Sequence, residues 1–226
     1  MRVLIVGASG MVGQGVLREC LAAPDVEEVI LLARSTIESA SQKVRQLVRD
    51  DLFDLTSLEP ELRGIDACFF CLGVSSSGMS EAAYRHVTFD LTLTVANVLV
   101  QLNPAMTFIY VSGAGTDSSE LGRSMWARVK GQTENALKKL PFAGVYLFRP
   151  AIIQPLHGIQ SKTSSYRRFY KLTRPLLPVM KSLFPSFVVT TEEVGQAMLN
   201  AMRRGSGRFV LESRDIARLA LSPSID

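Results

Sequence analysis

The chain has 226 residues, 47% of them hydrophobic, and a formal net charge of +4 at pH 7. This composition is typical of a soluble globular protein, and no apolar run reaches the roughly 18 residues that a membrane span needs. Three cysteines exclude the disulfide framework of a small secreted protein, and two histidines without a carboxylate cluster predict no metal site. We therefore predict one domain over residues 1–226.

The first fifteen residues follow the order strand, glycine-rich turn and helix. An apolar run over residues 2–6 precedes Gly7, Gly10 and Gly13, and a helical pattern occupies residues 11–23. This order is the dinucleotide-binding fingerprint. Gly7 permits the tight turn, Gly10 lets the backbone approach a pyrophosphate, and Gly13 lets the helix pack closely. The run predicts a central strand rather than a signal peptide, so we expect a cytoplasmic protein.

Strands and helices alternate along the rest of the chain. Strands are predicted over residues 28–33, 66–72, 107–112, 144–149 and 208–212, and helices over residues 38–48, 80–101, 125–140, from 190 and after 213. Apolar strands with short links predict an α/β fold with a doubly wound parallel Rossmann sheet. Cys68 and Cys71 would face opposite sides of one strand, so we interpret them as core residues rather than a redox or zinc pair.

The positive charge is concentrated in the second half of the chain. No acidic residue lies between Glu134 and Glu192, and prolines interrupt the pattern after Pro150. We predict a small C-terminal substrate lobe at about residues 154–190. The basic segment from Lys162 to Lys181 predicts an anionic or amphipathic ligand or a peripheral membrane contact, with a solvated surface as the alternative. No nucleic acid is expected, because no recognition motif accompanies the charge.

The end of the second strand predicts which cofactor binds. NAD-binding versions carry a carboxylate there for the ribose 2′-hydroxyl, whereas this strand ends in Ala33, Arg34, Ser35 and Thr36. A guanidinium binds phosphate through its planar fork of donors. We therefore predict NADP(H), with Arg34 on the 2′-phosphate and help from Ser35, Thr36 and Ser9. The alternative is a surface arginine at a strand end.

The glycine motif over residues 7–13 resembles that of extended and atypical short-chain dehydrogenase/reductases, which are NAD-dependent epimerase/dehydratase-like proteins. Asp51, Ser112, Lys130 and Pro150 follow in the family's order. The NmrA-like and Tat-interacting-protein-like branch of NADP binders is the most similar. The resemblance implies that Asp51 and Leu52 flank the adenine, that Leu72, Gly73 and Val74 line the ribose, and that residues 150–153 border the nicotinamide. The cofactor-binding residues are then Gly7, Ser9, Gly10, Met11, Val12, Gly13, Arg34, Ser35, Asp51, Leu52, Leu72, Gly73, Val74, Lys130, Pro150 and Ile152.

One position departs from the family's catalytic pattern. Family enzymes carry a tyrosine four residues before the lysine, and its phenol exchanges a proton with the substrate oxygen. Here Trp126 precedes Lys130, and an indole has no proton to transfer near neutral pH. Ser112 matches the serine that polarises the carbonyl, so Ser112 and Lys130 are the predicted catalytic residues. The alternatives are that Ser112 only caps a turn and that Lys130 is an exposed lysine on its helix.

Two functions follow from this pattern. The first is an NADPH-dependent oxidoreductase of a small carbonyl-type substrate, with a degenerate Ser/Lys site. The second is a non-catalytic NADP(H)-binding sensor or regulatory protein. Tyr166, Tyr170 or His157 could reach the cleft from the small lobe as other proton donors. The missing tyrosine favours a sensor, whereas Ser112 and Lys130 favour an enzyme.

Overall fold

The computed structural model describes residues 1–159, 181, 187–205 and 209–222. The strands are β1 (Arg2–Val6), β2 (Glu28–Ala33), β3 (Val44–Val48), β4 (Ala67–Phe70), β5 (Thr107–Val111), β6 (Gly144–Arg149), β7 (Ile152–Gln154), β8 (Val188–Thr190) and β9 (Val210–Glu212). The helices are α1 (Met11–Ala22), α2 (Glu81–Arg85), α3 (Leu91–Leu102), α4 (Met125–Leu137), α5 (Thr191–Arg204) and α6 (Ser213–Ala220). A 3₁₀ turn spans Thr56–Leu58, and a π-helical turn spans His86–Asp90 between α2 and α3.

Seven parallel strands form the main sheet in the order β3-β2-β1-β4-β5-β6-β9. The chain starts in the middle of the sheet, where Val3 pairs with Val29 of β2 on one side and with Ala67 of β4 on the other. From this centre the strands run outward first in one direction and then in the other. The predicted α/β, doubly wound Rossmann sheet is therefore confirmed.

Each face of the sheet carries its own hydrophobic core. Val3 and Ile5 pack with α1, α5 and α6, whereas Leu4 and Val6 pack with α3 and the end of α4. Cys68 belongs to the second core, and Cys71 packs against the first, as their spacing in the strand predicts. Burial of both thiols raises their pKa, so both are held in the unreactive protonated form.

The helix predicted over residues 38–48 was wrong, because β3 occupies Val44–Val48 at the edge of the sheet. The apolar residues Val44, Leu47 and Val48 have a spacing that also suits a helix. Pairing with β2 decides the outcome, since Leu32 lies opposite Leu47 and Ala33 opposite Val48. The Val48 side chain is exposed, as expected for an edge strand.

Other predicted helices differ in detail. The helix predicted over residues 80–101 begins as α2, passes through the π-helical turn and continues as α3. The helix predicted to end at residue 140 ends at Leu137. The helix predicted from residue 190 begins with a capping box at Thr190. The Thr190 hydroxyl accepts from the Glu193 N–H at 3.0 Å, and the Glu193 carboxylate accepts from the Thr190 N–H at 2.8 Å.

The predicted small lobe lies largely outside the described residues, as do most of the basic segment and both Tyr166 and Tyr170. At its two ends, β7 and β8 pair in parallel, with Ile152 opposite Val188. The Lys181 ammonium lies 2.6 Å from the Glu193 carboxylate at the start of α5. His157 pairs with Glu192 at 3.0 Å. His157 and Lys181 therefore both contact the first turn of α5.

Candidate functional site

A cleft of about 1140 Å³ opens at the carboxyl ends of the central strands. It lies beside β1 and β4, where the strand order reverses, which is the position at which doubly wound sheets bind ligands. Its walls come from the turn after β1, the ends of β2 and β3, the loop after β4, the π-helical turn, the end of β5, α4 and the end of β6. A second cavity of about 880 Å³ lies at the opposite, amino edge of the sheet.

The turn between β1 and α1 can be built only with glycine at two positions. Gly7 has φ +87°, and a Cβ there would lie 2.6 Å from the backbone nitrogen of Leu72. A Cβ on Gly13 would lie 2.2 Å from the carbonyl oxygen of Gly7. Gly13 therefore packs beneath the turn rather than lining the cleft, in the role that the fingerprint predicts.

The N-terminus of α1 is the part of the cleft that fits an anion. Gly10 is its N-cap and carries no side chain to accept from the first-turn N–H groups. A Cβ on Gly10 would meet a single non-neighbouring atom, the Gly7 carbonyl oxygen at 3.4 Å. Ser9, Met11 and Val12 line the cleft beside it. Free N–H groups around an open cradle suit a pyrophosphate.

Arg34 and Ser35 lie at the end of the cleft formed by β2 and β3. Both are exposed, and within the described part of the chain the Arg34 guanidinium makes no hydrogen bond or ion pair. Asp51 lies nearby, but its carboxylate accepts from the Phe53 N–H at 2.8 Å. Leu52 is buried beneath it. This end of the cleft therefore offers an unpaired guanidinium to an anion.

Two aromatic rings at this end were not predicted from the sequence. Phe53 stacks on His86, with ring centroids 4.5 Å apart and an interplanar angle of 10°. The His86 ring nitrogen lies 3.6 Å from the Asp90 carboxylate within the π-helical turn. Both rings line the cleft. No local signal identifies this pair, because 33 positions separate its members in the chain.

The loop after β4 forms the facing wall with Leu72, Gly73 and Val74. A Cβ on Gly73 would have no atom within 4 Å. The Val74 side chain is 44% exposed, which leaves its apolar surface available to a ligand. The predicted ribose-lining residues therefore lie opposite the glycine turn.

The other end of the cleft brings Ser112, Trp126, Lys130 and Pro150 together. Ile153 lines this end, whereas the predicted Ile152 is not part of the lining; both residues belong to β7, which pairs with β8. A strand alternates its side chains, so only one of two adjacent residues can face the cleft. Among the residues predicted to contact the cofactor, Gly13, Thr36 and Ile152 are the three outside the cleft lining.

The Ser112 hydroxyl belongs to a short hydrogen-bond chain. Ser112 Oγ lies 2.7 Å from Thr116 Oγ1, and Thr116 Oγ1 donates to the Gly113 carbonyl oxygen at 2.8 Å. A hydroxyl has one proton, so in this arrangement Ser112 donates to Thr116. If Thr116 turns its proton toward Ser112, the Ser112 proton is released toward the cleft. Thr116 was not predicted from the sequence.

Lys130 reaches the cleft from α4. Its Nζ lies 3.1 Å from the Ser112 carbonyl oxygen and 5.4 Å from the centre of the Tyr110 ring. Burial of the ammonium lowers its pKa to about 8, and the charge of Glu134 opposes this shift. The side chain is therefore a partly buried member of the site and not the exposed helix lysine of the alternative interpretation.

An ion pair holds α4 against β6 behind the site. Glu134 is fully buried, and both of its carboxylate oxygens accept from Arg149, one of them from Nε at 3.0 Å. This pairing raises the pKa of the Arg149 guanidinium. Because Glu134 is bound to Arg149, it does not form an ion pair with Lys130 one turn earlier.

The loop between β5 and α4 is held tightly over the helix. A Cβ on Gly131 would lie 1.8 Å from the Asp117 carbonyl oxygen, so only glycine lets the loop approach this closely. The Asp117 N–H donates to the Ala127 carbonyl oxygen at 3.1 Å. Gly115, at φ +84°, leaves room for the Trp126 ring 3.4 Å from the position of its Cβ. The loop therefore fixes Ser112 and Trp126 relative to Lys130.

No group of three or more metal-ligating side chains occurs among residues 1–159, 181, 187–205 and 209–222. Within the same described residues, no helix is long and apolar enough to cross a membrane.

Comparison with known proteins places the chain among nucleotide-binding proteins. Residues 2–92 match the family model described as semialdehyde dehydrogenase, NAD binding domain. Protein HTATIP2 of Rattus norvegicus is 30% identical over 224 residues, which cover 96% of this chain and 88% of that protein. The mitochondrial protein fmp52 of Emericella nidulans is 26% identical over 206 residues, covering 88% of this chain and 86% of that protein.

A solved structure agrees in fold. An oxidoreductase of the short chain dehydrogenase/reductase family from Burkholderia thailandensis superposes with a TM-score of 0.67 at 16% identity, covering 96% of this chain and 92% of that one. The predicted cytoplasmic location was wrong, because the fmp52 relative, which matches most of the chain, is named a mitochondrial protein. The N-terminal strand that motivated this prediction reports on the fold and carries no information about the compartment.

Proposed function

The chain belongs to the atypical branch of the short-chain dehydrogenase/reductase family, as an NAD(P)-binding Rossmann protein, and on this premise we propose that it is an NADPH-dependent oxidoreductase of a small carbonyl substrate. One observation carries the proposal. The cleft brings Ser112 and Lys130 together, with the Lys130 Nζ 3.1 Å from the Ser112 carbonyl oxygen. A hydroxyl and an ammonium side by side can bind a carbonyl oxygen on which negative charge develops.

The residues at the phosphate end fit a dinucleotide. The open cradle at Gly10 and the first-turn N–H groups of α1 would hold the pyrophosphate. The bound nicotinamide cofactor supplies a hydride. The chain's own contribution is to place a carbonyl carbon beside the nicotinamide and to bind its oxygen. Ser112 does so by donating a hydrogen bond from its hydroxyl, once the Thr116 hydroxyl has turned its own proton toward Ser112.

The preference for NADPH over NADH rests on Arg34. Its guanidinium is exposed at the cleft end beyond β2 and has no partner within the described residues. Residues 33–37 contain no carboxylate, so a 2′-phosphate meets no repulsion from the tip of β2. Asp51 is close in the fold, but its carboxylate already accepts from the Phe53 N–H. A charge-assisted contact with Arg34 therefore favours the phosphorylated cofactor.

Small, apolar carbonyl compounds suit the lining around Ser112. Pro150, Ile153, Ala114 and Trp126 line the same cleft as Ser112. These groups exclude water and make no ionic contact with a substrate, while the Trp126 N–H can donate one hydrogen bond. The proposed substrate class is therefore an aldehyde or ketone without a charged group next to the carbonyl.

A second candidate function is a non-catalytic NADP(H) sensor. Trp126 favours it, because this side chain stands where family enzymes carry the proton-donating tyrosine. In that case the cofactor would control the conformation of the cleft and the contacts of a partner. The two candidates differ in one measurable property, which is turnover by the cofactor-bound protein.

NADPH oxidation with a panel of uncharged aldehydes and ketones tests the proposal. The unmodified protein should turn over, and Ser112→Ala should lower kcat by about 10²–10³, the usual cost of losing one donor to a developing oxyanion. Ser77→Ala, an exposed serine outside the cleft, should match the unmodified protein. Calorimetry should show NADPH binding by all three. A folded, NADPH-binding protein without turnover on the panel would support the sensor instead.

A further inference from the structure

We propose that the ammonium of Lys130 is the proton donor in carbonyl reduction and takes the place of the absent tyrosine. This inference rests on the proposed reductase function. A reduction that receives a hydride also needs a proton at the substrate oxygen, and the indole of Trp126 has none to give near neutral pH. Water or another side chain at this end of the cleft must therefore supply it.

The other titratable side chains that line the cleft within the described residues are poorly placed for this role. Asp50, Asp51 and His86 lie at the Arg34 end, where His86 stacks on Phe53. Burial raises the pKa of the Cys71 thiol well above its usual range. Tyr84 is 2% exposed, so its ring is enclosed by the protein. Lys130 remains as the acid that adjoins Ser112.

The contacts of Lys130 leave a proton for the substrate. An ammonium carries three N–H donors. One donates to the Ser112 carbonyl oxygen at 3.1 Å, and a second points to the Val111 carbonyl oxygen at 3.5 Å. The ammonium forms no ion pair with a carboxylate of the described residues, since Glu134 is bound to Arg149. The third N–H is therefore free to face the cleft.

The groups around Lys130 favour release of this proton. The Tyr110 ring from β5 lies beneath the ammonium, and burial lowers the lysine pKa to about 8. The charge of Glu134, on the same helix, opposes this lowering of the lysine pKa. The Glu134 carboxylate is itself paired with Arg149 of β6. Tyr84 of α2 interacts with Tyr110. Lys130 is thus mostly protonated at neutral pH and close to its pKa, which suits a general acid.

The step balances with the groups named. A C–H bond forms at the carbonyl carbon with the hydride that NADPH supplies, and the C=O π electrons move to oxygen. An O–H bond forms as an Lys130 N–H bond breaks, which leaves a neutral amine. The amine regains a proton from water after the alcohol leaves. The sum is carbonyl plus NADPH plus one proton giving alcohol plus NADP⁺.

The first test needs no turnover. The rate at which acetic anhydride acylates Lys130 in the cofactor-free protein, followed against pH by mass spectrometry of its peptide, reports the free amine. The expected midpoint is near pH 8. Lys138, exposed just after α4, gives the comparison within the same protein. A Lys130 midpoint that coincides with that of Lys138 would contradict the proposal.

The second test uses Lys130→Arg, which keeps the positive charge and a donor toward Ser112 but holds its proton. We expect NADPH affinity within about twofold and a kcat lower by about 10²–10⁴. The kcat of the unmodified protein should fall as pH rises through about 8, because the acid must be protonated. Lys138→Arg should match the unmodified protein in both.

The outcomes separate this inference from the proposed function. Turnover that survives Lys130→Arg, or a kcat that stays flat from pH 7 to 10, would refute Lys130 as the donor and leave the reductase intact. Loss of NADPH binding in Lys130→Arg, in proportion to the loss of kcat, would assign the lysine to cofactor binding alone. A cofactor-bound unmodified protein that turns over no carbonyl would refute the reductase and the donor together.

Discussion

The two ends of the cleft are built from different parts of the polypeptide. At the phosphate end, backbone groups form the binding surface, since α1 offers N–H donors and its turn depends on Gly7 and Gly13. At the Ser112 end, the site is formed by the side chains of Ser112, which directly follows β5, and of Lys130 on α4. Hydrogen bonds to neighbouring groups hold both side chains. The phosphate end therefore depends on the absence of side chains at its glycines, whereas the Ser112 end depends on the side chains that are present.

This difference predicts that the two ends of the cleft tolerate substitution to different degrees. A side chain on Gly13 would overlap the backbone, so the phosphate end tolerates little change. Trp126 lies on α4, where its ring is accommodated beside Gly115. We therefore expect a substitution at the Ser112 end to change the chemistry more readily than it changes binding at the phosphate end.

The strongest test of this difference adds one methyl group at Gly13 and, in a second variant, at Gly10. Gly13→Ala should destabilise the fold by about 1–3 kcal/mol, because the added carbon meets the Gly7 carbonyl and neither backbone can move away cheaply. Gly10→Ala should cost less than about 1 kcal/mol and should act on binding instead, since its carbon fills the anion cradle. Urea unfolding and NADPH calorimetry measure the two effects.

An equal loss of stability in Gly10→Ala and Gly13→Ala would contradict this assignment. So would unchanged NADPH affinity in Gly10→Ala, because the cradle would then not be where the pyrophosphate lies.

An effect of similar size, but on cofactor binding rather than on the fold, is expected where a side chain contributes to the phosphate end. Arg34→Ala should weaken NADPH by at least about tenfold and leave NADH nearly unchanged, because a charge-assisted contact is worth about 1.5–3 kcal/mol. Arg45→Ala is the matched control, since Arg45 is an exposed arginine of β3 outside the cleft. Calorimetry with both cofactors decides: equal affinity of the unmodified protein for NADPH and NADH would remove the role of Arg34.

The smallest effect is expected at the altered position itself. Trp126→Tyr should raise kcat for carbonyl reduction severalfold, because it returns a phenol to the helix one turn before Lys130. Trp126→Phe carries the same ring without the hydroxyl and should show no gain. Melting curves of both variants report the void that the smaller rings leave. No gain in Trp126→Tyr relative to Trp126→Phe would show that a phenol at this position cannot reach the substrate.

Local patterns were sufficient to predict most of the sheet. The strands β1, β2, β5 and β6 are apolar runs between turn residues, and the glycine spacing places the first helix correctly. Residues 38–48 were misread because valines and leucine there have a spacing that fits a helix as well as a strand. Only pairing with β2, a contact between distant parts of the chain, selects the strand.

The site residues that belong to the family's sequence motif could be predicted, whereas those that depend on packing between elements could not. Ser112 and Lys130 follow the motif, and both lie in the cleft. Thr116, the Glu134–Arg149 pair and the close approach of Gly131 to Asp117 were not predicted. Each of these contacts joins two different segments of the chain, and the spacing of residues within one segment does not show how close two segments lie.

The central claim is that the protein transfers a hydride from NADPH to a carbonyl carbon. The most direct measurement incubates the protein with an aldehyde that it turns over and with NADPH carrying deuterium at nicotinamide C4, on one face or on the other. The account predicts that one of the two cofactors yields an alcohol with a single deuterium on the former carbonyl carbon. An alcohol without deuterium from both cofactors, or no alcohol from a protein with NADPH bound, would contradict it.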